Sequence, residues 1–298
     1  MATTLALLPD FLLILLGHAL RRWLHLGDHF WGGLEKLVYF IFFPALLFNA
    51  LARANLDWAT AAPLLSTGLL IMLTGMVLGG LARWLFAMSP VSFASQFQCA
   101  FRFNTYIGLA VAAKLHGAPG LAAMGLLTGA MVTPANIAAV GMLARHGGAS
   151  LLSELARNPL VIGTLAGLLW NVSGLVLPVP AAQFLGRLAD AAITLGLLAV
   201  GAALKLDHLP GGGYGSATWF LSVKLLILPL AALGLGRWFD LDAMYRDIAL
   251  IFAALPTSSS AFILARRMGG DGRSVAWLIS ASTLAAMVTL PLWLAFGR

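Results

Sequence analysis

Apolar residues run through this chain in blocks, with the ionisable ones set between them. No Asp, Glu, Lys or Arg falls between Asp57 and Arg83, between Lys114 and Arg145, between Arg157 and Arg187, or between Arg273 and Arg298. A helix that crosses the hydrocarbon layer of a membrane needs ~20 predominantly apolar residues. The last of these gaps has room for one such helix, and each of the others for one helix with its turns. Lipid offers no partner to an exposed backbone N–H or C=O, so helices are the expected form, and the strict alternation of a membrane barrel is missing. The pattern predicts ten spans, over 3–21, 32–53, 59–84, 91–114, 118–144, 159–178, 182–204, 215–237, 247–267 and 274–296. Three are interrupted: the first by Pro9 and Asp10, the fourth by Arg102, and the ninth by Pro256 and the hydroxyl run after it.

Composition narrows the class. Of 298 residues 60% are hydrophobic and 10% charged, against about 25% charged in soluble domains. Eighteen Lys and Arg with eleven Asp and Glu are too few to cover a soluble globule of this length. That excludes a soluble enzyme, a disordered chain and a nucleic-acid binder, and leaves an all-α polytopic membrane protein with no cofactor. The net charge of +7 comes from basic residues spread through short gaps, which suits orientation and contact with anionic lipid headgroups. With the N-terminus outside, nine Lys and Arg fall in cytoplasmic gaps (Arg21, Arg22, Arg83, Arg145, Arg157, Lys205, Arg266, Arg267, Arg273) and six outside (Arg53, Lys114, Arg187, Arg237, Arg246, Arg298). The bias predicts a multi-pass protein of the cytoplasmic (inner) membrane with both termini outside. Trp23, Trp31, Trp58, Trp84 and Trp238 lie near span ends, where an aromatic belt sits. The single cysteine, Cys99, allows no intrachain disulfide and no cysteine metal site, and its apolar neighbours predict a packed side chain. Phe11 to Leu20 is followed by Arg21 and Arg22 without a small-residue cleavage site, so it reads as a retained first helix. Gly211 to Gly213 read as a flexible turn.

The two halves resemble each other. Phe103-Asn104-Thr105-Tyr106 and Leu255-Pro256-Thr257-Ser258 open similar segments at an offset of 152 residues. Ala-Met-Val-Thr occurs at Ala130 to Thr133 and at Ala286 to Thr289, an offset of 156, with Pro134 and Pro291 following. Two ordered matches at nearly equal offsets indicate an internal repeat, with 1–146 and 155–298 as its halves in a single transmembrane domain. Five spans per half is an odd number, so the second half enters the membrane inverted. Inverted repeats with interrupted helices meeting at mid-membrane are a plan of secondary transporters.

On these motifs the chain resembles the auxin efflux carrier family, which includes the plant PIN-formed auxin transporters and bacterial relatives proposed to carry dicarboxylates. The resemblance rests on Arg102-Phe103-Asn104-Thr105 with Gly108, on Thr133-Pro134-Ala135-Asn136 through Val140, and on Arg157-Asn158-Pro159. It rests further on Gly196 through Leu204, on Leu255-Pro256 through Phe262 and Ala265, and on Thr283 to Trp293. It implies ten helices, a scaffold domain, a transport domain built around crossed and broken fourth and ninth helices, and a homodimer. This is also the plan of sodium/proton antiporters and of bile-acid symporters. Plant members often carry a proline in the broken fourth helix; Gly108-Leu109-Ala110 has none, which leaves the break to Gly108. The gap from Arg145 to Arg157 replaces the long loop of many plant members, so regulation by loop phosphorylation is not expected.

Arg102 is the leading site candidate. If the fourth span starts near Ser92, it lies ~15 Å along the helix at 1.5 Å per residue, where an Arg costs at least ~2.5–3.5 kcal/mol. It either attracts a substrate carboxylate, or snorkels and caps carbonyls at the break. Asn104, Thr105 and Asn136 offer neutral donors and acceptors near the same depth, and Asn49 either faces them or makes an interhelical bond. Pro256 removes a helix hydrogen bond. Thr257, Ser258, Ser259 and Ser260 exceed what is needed to satisfy the freed carbonyls, so at least one is expected to face a cavity. Asp10 and Asp190 are candidates for proton coupling, Asp190 alternatively pairing with Lys224 or Arg187. Asp247 is expected to cap the ninth helix. His18, His25, His29, His116, His146 and His208 read as interfacial, and no metal site or nucleophile–base set is visible.

These features predict a secondary active transporter, not an enzyme. The expected substrates are small organic anions, auxin-like or mono- and dicarboxylates such as malonate and malate, moved by alternating access with the site where the fourth and ninth helices cross. The alternatives are a sodium-coupled carrier like the bile-acid symporters and a passive channel. The coupling ion is a proton or sodium.

Overall fold

The computed structural model describes residues 2–24, 26–54, 58–143, 158–205 and 213–297. Expectations for His25, Arg145, His146, Arg157, His208, Gly211, Gly212, Arg298 and the Trp58 side chain lie outside the described residues. Among the described residues the structure is all-helical, with no strand. In chain order the helices are α1 (Ala2–Trp23), α2 (Asp28–Ala52), α3 (Trp58–Leu85), α4 (Pro90–Phe97), α5 (105–116), α6 (118–143), α7 (Pro159–Ser173), α8 (Val179–Ala202), α9 (Gly213–Trp238), α10 (Ala243–Ala254), α11 (Ser260–Arg267) and α12 (Gly272–Phe296). Six helical stretches are long and apolar enough to cross a membrane. α2 and α9 each contain one π-helical turn, at Val38–Phe42 and Val223–Ile227.

Helix ends follow local chemistry. α5 and α6 are separated only by Gly117, whose φ of 61° lies in the left-handed region that glycine tolerates. Ser89, Asn158, Asp242 and Asp271 cap α4, α7, α10 and α12, each side chain accepting a backbone N–H of the first turn. Asp242 starts α10 at Ala243, four residues before the expected 247, so Asp247 sits inside the helix and does not cap it. α7 stops at Ser173 instead of 178, because Gly174 takes a left-handed φ of 67° and Pro178 follows. Trp23, Trp84 and Trp238 are exposed at helix ends, as an interfacial belt requires, whereas Trp31 is buried.

Two packing groups emerge. In one, α1 lies along α8, and the second half of α2 lies along α7 and α8. In the other, α3, α9 and α10 pack together, and α12 packs on α4, α10 and α11. The α5–α6 arm touches both groups. The α1–α8 contact is made backbone to backbone: a Cβ on Gly17 would lie 2.1 Å from the Leu198 carbonyl oxygen, and one on Gly201 would lie 1.7 Å from that of Ile14. Such close approach through small residues is how helices associate in lipid, where no hydrophobic force drives them together.

Lys224, in the π-helical turn of α9, is only 2% exposed. Its ammonium donates to the Ala253 carbonyl oxygen at 3.4 Å, in the last turn of α10. A cation there offsets the negative end of that helix, a pairing worth up to ~2 kcal/mol when partly buried. No carboxylate among the described residues pairs with it, so the cost of desolvating the ammonium offsets that gain, and a hydrophobic residue of similar volume removes the cost. Lys224→Met is therefore expected to melt no lower than wild type in a thermal unfolding assay.

Candidate functional site

Two helices stop in the middle of the bundle. α4 ends at Phe97, a 3₁₀ turn covers Gln98–Ala100, and the chain is non-helical until α5 begins at Thr105. α10 ends at Ala254, and residues 255–258 are non-helical before α11 begins at Ser260. Each interruption frees backbone donors and acceptors at a depth where water is scarce, so each must find protein partners. The two breaks supply them for each other. The Asn104 N–H donates to the Pro256 carbonyl oxygen at 2.9 Å. The Thr257 hydroxyl donates to the Cys99 carbonyl at 3.0 Å, and the Gln98 amide to the Ala261 carbonyl at 3.1 Å. Asn104 and Pro256, aligned by the internal match, are thus bonded directly.

Gly108 does not make the fourth-helix break. It lies within α5, and the break precedes it at 101–104. A Cβ on Gly108 would approach Leu255 Cδ1 to 2.9 Å, so this glycine lets α5 cross the end of α10. The start of α5 is set by Asn104, whose Oδ1 accepts from the Tyr106 and Ile107 N–H groups at 3.1 and 3.3 Å. Pro256 lies in the ninth-helix break, as expected, and its carbonyl serves the other chain segment.

Arg102 is 6% exposed. Its Nη1 donates to Ser260 Oγ at 2.7 Å and its Nη2 to Asn136 Oδ1 at 2.5 Å, while its Nε is buried without a partner. These bonds join the α4–α5 break to α11 and α6. A cavity of about 460 Å³ opens beside the guanidinium. Its wall takes Glu35, Lys36 and Tyr39 from α2, Arg102 to Asn104 from the break, and Thr105 and Tyr106 from α5. Asn136 comes from α6, Asn158 from the α7 cap, and Ser258 to Ser260 and Arg267 from α11 and its approach. The N-terminal ends of α5 and α11 both meet this cavity, and each carries roughly half a positive charge. Among the described residues, three cationic side chains and one carboxylate line it. The Phe43 and Tyr106 rings stack at 4.1 Å just behind the wall, tying α5 to α2. Val140, near the end of α6, and Arg267, at the end of α11, also line the cavity.

Seven expected site residues come together here: Arg102, Asn104, Thr105, Asn136, Ser258, Ser259 and Ser260. Thr257 does not. It is 1% exposed, faces away from the cavity and is spent on the Cys99 carbonyl. Asn49 is also elsewhere on α2, its Oδ1 buried without a partner. Asp10 lies outside the cavity and pairs with Lys114 at 3.7 Å, joining α1 to α5. Asp190 is exposed on α8 and pairs with neither Arg187 nor Lys224. Asp247 bonds His116 at 3.0 Å, which ties the end of α5 to α10. Glu35, Lys36, Tyr39, Asn158 and Arg267 were not foreseen as site residues. The available signal for the first two was an adjacent acid and base inside the predicted span 32–53. No group of three or more His, Cys, Asp or Glu that would hold a metal occurs among the described residues.

The sequence model of the family described as "Membrane transport protein" matches residues 142–294, just over half of the chain. The chain belongs to this family. It is the family of the auxin efflux carriers, so the protein is an integral membrane transporter. An "Uncharacterized transporter" of Methanothermobacter thermautotrophicus is 27% identical over 303 residues, covering 98% of both chains. The "Uncharacterized transporter YfdV" of Escherichia coli K12 is 23% identical over 98% of this chain and 96% of its own. A protein of Rhizobium meliloti named "Putative malonate transporter" is 24% identical, covering 95% of this chain and 92% of its own. Within this transporter family member, the matched region takes in the α10–α11 break, Asn158 and Arg267, while Arg102, Asn104 and Asn136 lie in the half that the full-length relatives cover.

Proposed function

We propose that this transporter carries small organic anions, mono- or dicarboxylates, across the cytoplasmic membrane by alternating access, with the anion held where the two helix breaks cross. The observation that carries the reading is the convergence of Arg102 and the N-terminal ends of α5 and α11 on one cavity. A carboxylate there meets guanidinium donors, serine hydroxyls and the positive ends of two helix dipoles. The malonate named for one relative agrees in chemical class. In this reading α5 and α11 continue the fourth and ninth of ten spans, and 1–146 and 155–298 are inverted five-span halves. The Asn104–Pro256 bond then lies on their pseudo-symmetry axis. The α1, α2, α7 and α8 group serves as the scaffold against which the broken helices move.

The test is counterflow in proteoliposomes, with malonate, malate, succinate and indole-3-acetate as labelled anions. Saturable exchange of labelled for unlabelled anion is expected for at least one of them. Anion conductance without saturation would replace the carrier with a channel, and no flux of any of these anions would remove the substrate class.

A further inference from the structure

We propose that Glu35 is the proton-carrying group of this transporter: it takes up a proton when the substrate anion enters the cavity and releases it when the anion leaves. The inference rests on the anion-carrier reading above. Glu35 is the one carboxylate among the described residues of the cavity wall, where it stands with Lys36, Arg102 and Arg267. It is half-buried and shares the cavity wall with Ser259, next to the Ser260 that Arg102 holds. Glu35 therefore occupies the electropositive ground that a substrate carboxylate would use. Two anionic groups in one small, poorly screened cavity repel, so arrival of the substrate favours proton binding by Glu35. By reciprocity, a protonated Glu35 favours the substrate.

The surroundings leave Glu35 as the group that changes charge. On α2 it is flanked by Lys36 and Tyr39; across the cavity stand Arg102, Tyr106 on α5 and Arg267 on α11. Lys, Arg and Tyr ordinarily keep their protonation state across neutral pH. The cavity side chains of α6 and α7 are the neutral Asn136 and Asn158, and Arg187 and Asp190 on α8, which packs against α2, are exposed. Asp10, the other acidic candidate, is held outside the cavity by Lys114. Position adds a means of exchange. Glu35 belongs to the α2 group, whereas Ser259 and Arg102 belong to the broken helices, so relative movement of the two groups changes the surroundings of the carboxyl and its access to solvent. The balance is simple: one proton from the loading side joins the carboxylate, crosses with the anion, and is released on the far side as the carboxylate reforms. A monoanion then moves without net charge, and a dianion moves one net negative charge.

The experiment compares wild type with Glu35→Gln in proteoliposomes, using malonate or whichever anion of the same panel gives counterflow. Each protein's accumulation under an imposed pH gradient is normalised to its own counterflow rate. Wild type should accumulate the anion, and its affinity should rise by up to about tenfold per unit fall in pH, the limit for one linked proton. Glu35→Gln should lose both effects, with the ligand's own titration, common to both proteins, subtracted by the comparison. Accumulation by Glu35→Gln equal to wild type overturns the proposal. So does a wild type that exchanges anion but ignores the pH gradient, a result that leaves the carrier reading standing. A wild type with no counterflow removes the carrier reading and this inference together. Should Glu35→Gln fail to fold, proton uptake on anion binding by the wild-type protein in weak buffer decides: a measurable uptake supports the proposal, and none refutes it.

Discussion

Arg102→Gln transporters, reconstituted into liposomes, take up organic anions about a hundredfold more slowly than wild type. The figure follows from the ~1.5–3 kcal/mol that a hydrogen bond to a charged group contributes, here concentrated in one guanidinium facing the cavity. Glutamine keeps some hydrogen-bonding capacity toward Ser260 and Asn136 but removes the charge that distinguishes an anion from a neutral solute. Folding should survive, because an Arg at this depth costs at least ~2.5–3.5 kcal/mol to insert and its loss removes that cost. The melting temperature of Arg102→Gln is accordingly expected at or above that of wild type. Arg102→Lys separates charge from geometry. Lysine supplies a point charge but not a planar fork, so it should restore part of the rate while leaving the affinity weak. Initial uptake rates and anion affinities measured on monodisperse protein give the answer, and wild-type uptake by Arg102→Gln would move the site elsewhere.

The largest effect on stability is expected at the α1–α8 contact. Gly201 faces the backbone of Ile14, and Gly17 that of Leu198, at distances no Cβ can occupy. The obstacle at each position is a carbonyl oxygen in a helix, which cannot rotate away as a side chain can. Gly201→Ala must therefore push the two helices apart along their length. Overpacking typically costs ~1–3 kcal/mol and more where backbone opposes backbone, so a fall in melting temperature of about 10 °C is expected at a few °C per kcal/mol. Gly201→Leu should yield no monodisperse protein. Gly234 on α9, with nothing within 4 Å of its would-be Cβ, is the control. There alanine should be neutral or slightly stabilising, by at most the ~1 kcal/mol that separates the two residues in helix propensity. Thermal unfolding monitored by size-exclusion chromatography reads all three variants, and a Gly201→Ala protein as stable as wild type would mean the helices do not touch as described.

Much of this was legible beforehand because the bilayer restricts the options. Lipid forbids unpaired backbone and penalises charge, so the spacing of Asp, Glu, Lys and Arg marked the helices, and most ends fell within a few residues of expectation. Two of the larger departures have local causes: Asp242 captures the start of α10, and Gly174 closes α7 early. The same penalty made Arg102 conspicuous, since an Arg inside an apolar span requires a reason. Pro256 and the serines after it stood out because proline cannot donate a hydrogen bond.

What was not legible depends on rotation about helix axes and on partners far away in sequence. Four consecutive hydroxyl residues follow Pro256, yet nothing in their order says that Thr257 turns to Cys99 while Ser258 to Ser260 turn to the cavity. Glu35 looked like one more charge near a span end, and only the packing of α2 against the broken helices set it among Lys36, Arg102 and Arg267. Asp10 and Asp190 looked equally suited to carry a proton, but one is paired and the other exposed. By itself, then, the amino-acid sequence determined the membrane class, the approximate helices and the two interruptions, because these follow from transfer energies and backbone chemistry that act along the chain. The tertiary structure alone decided which side chains share the cavity, where the fourth-helix break lies relative to Gly108, and how the breaks satisfy each other, because those outcomes turn on contacts between segments some 150 residues apart.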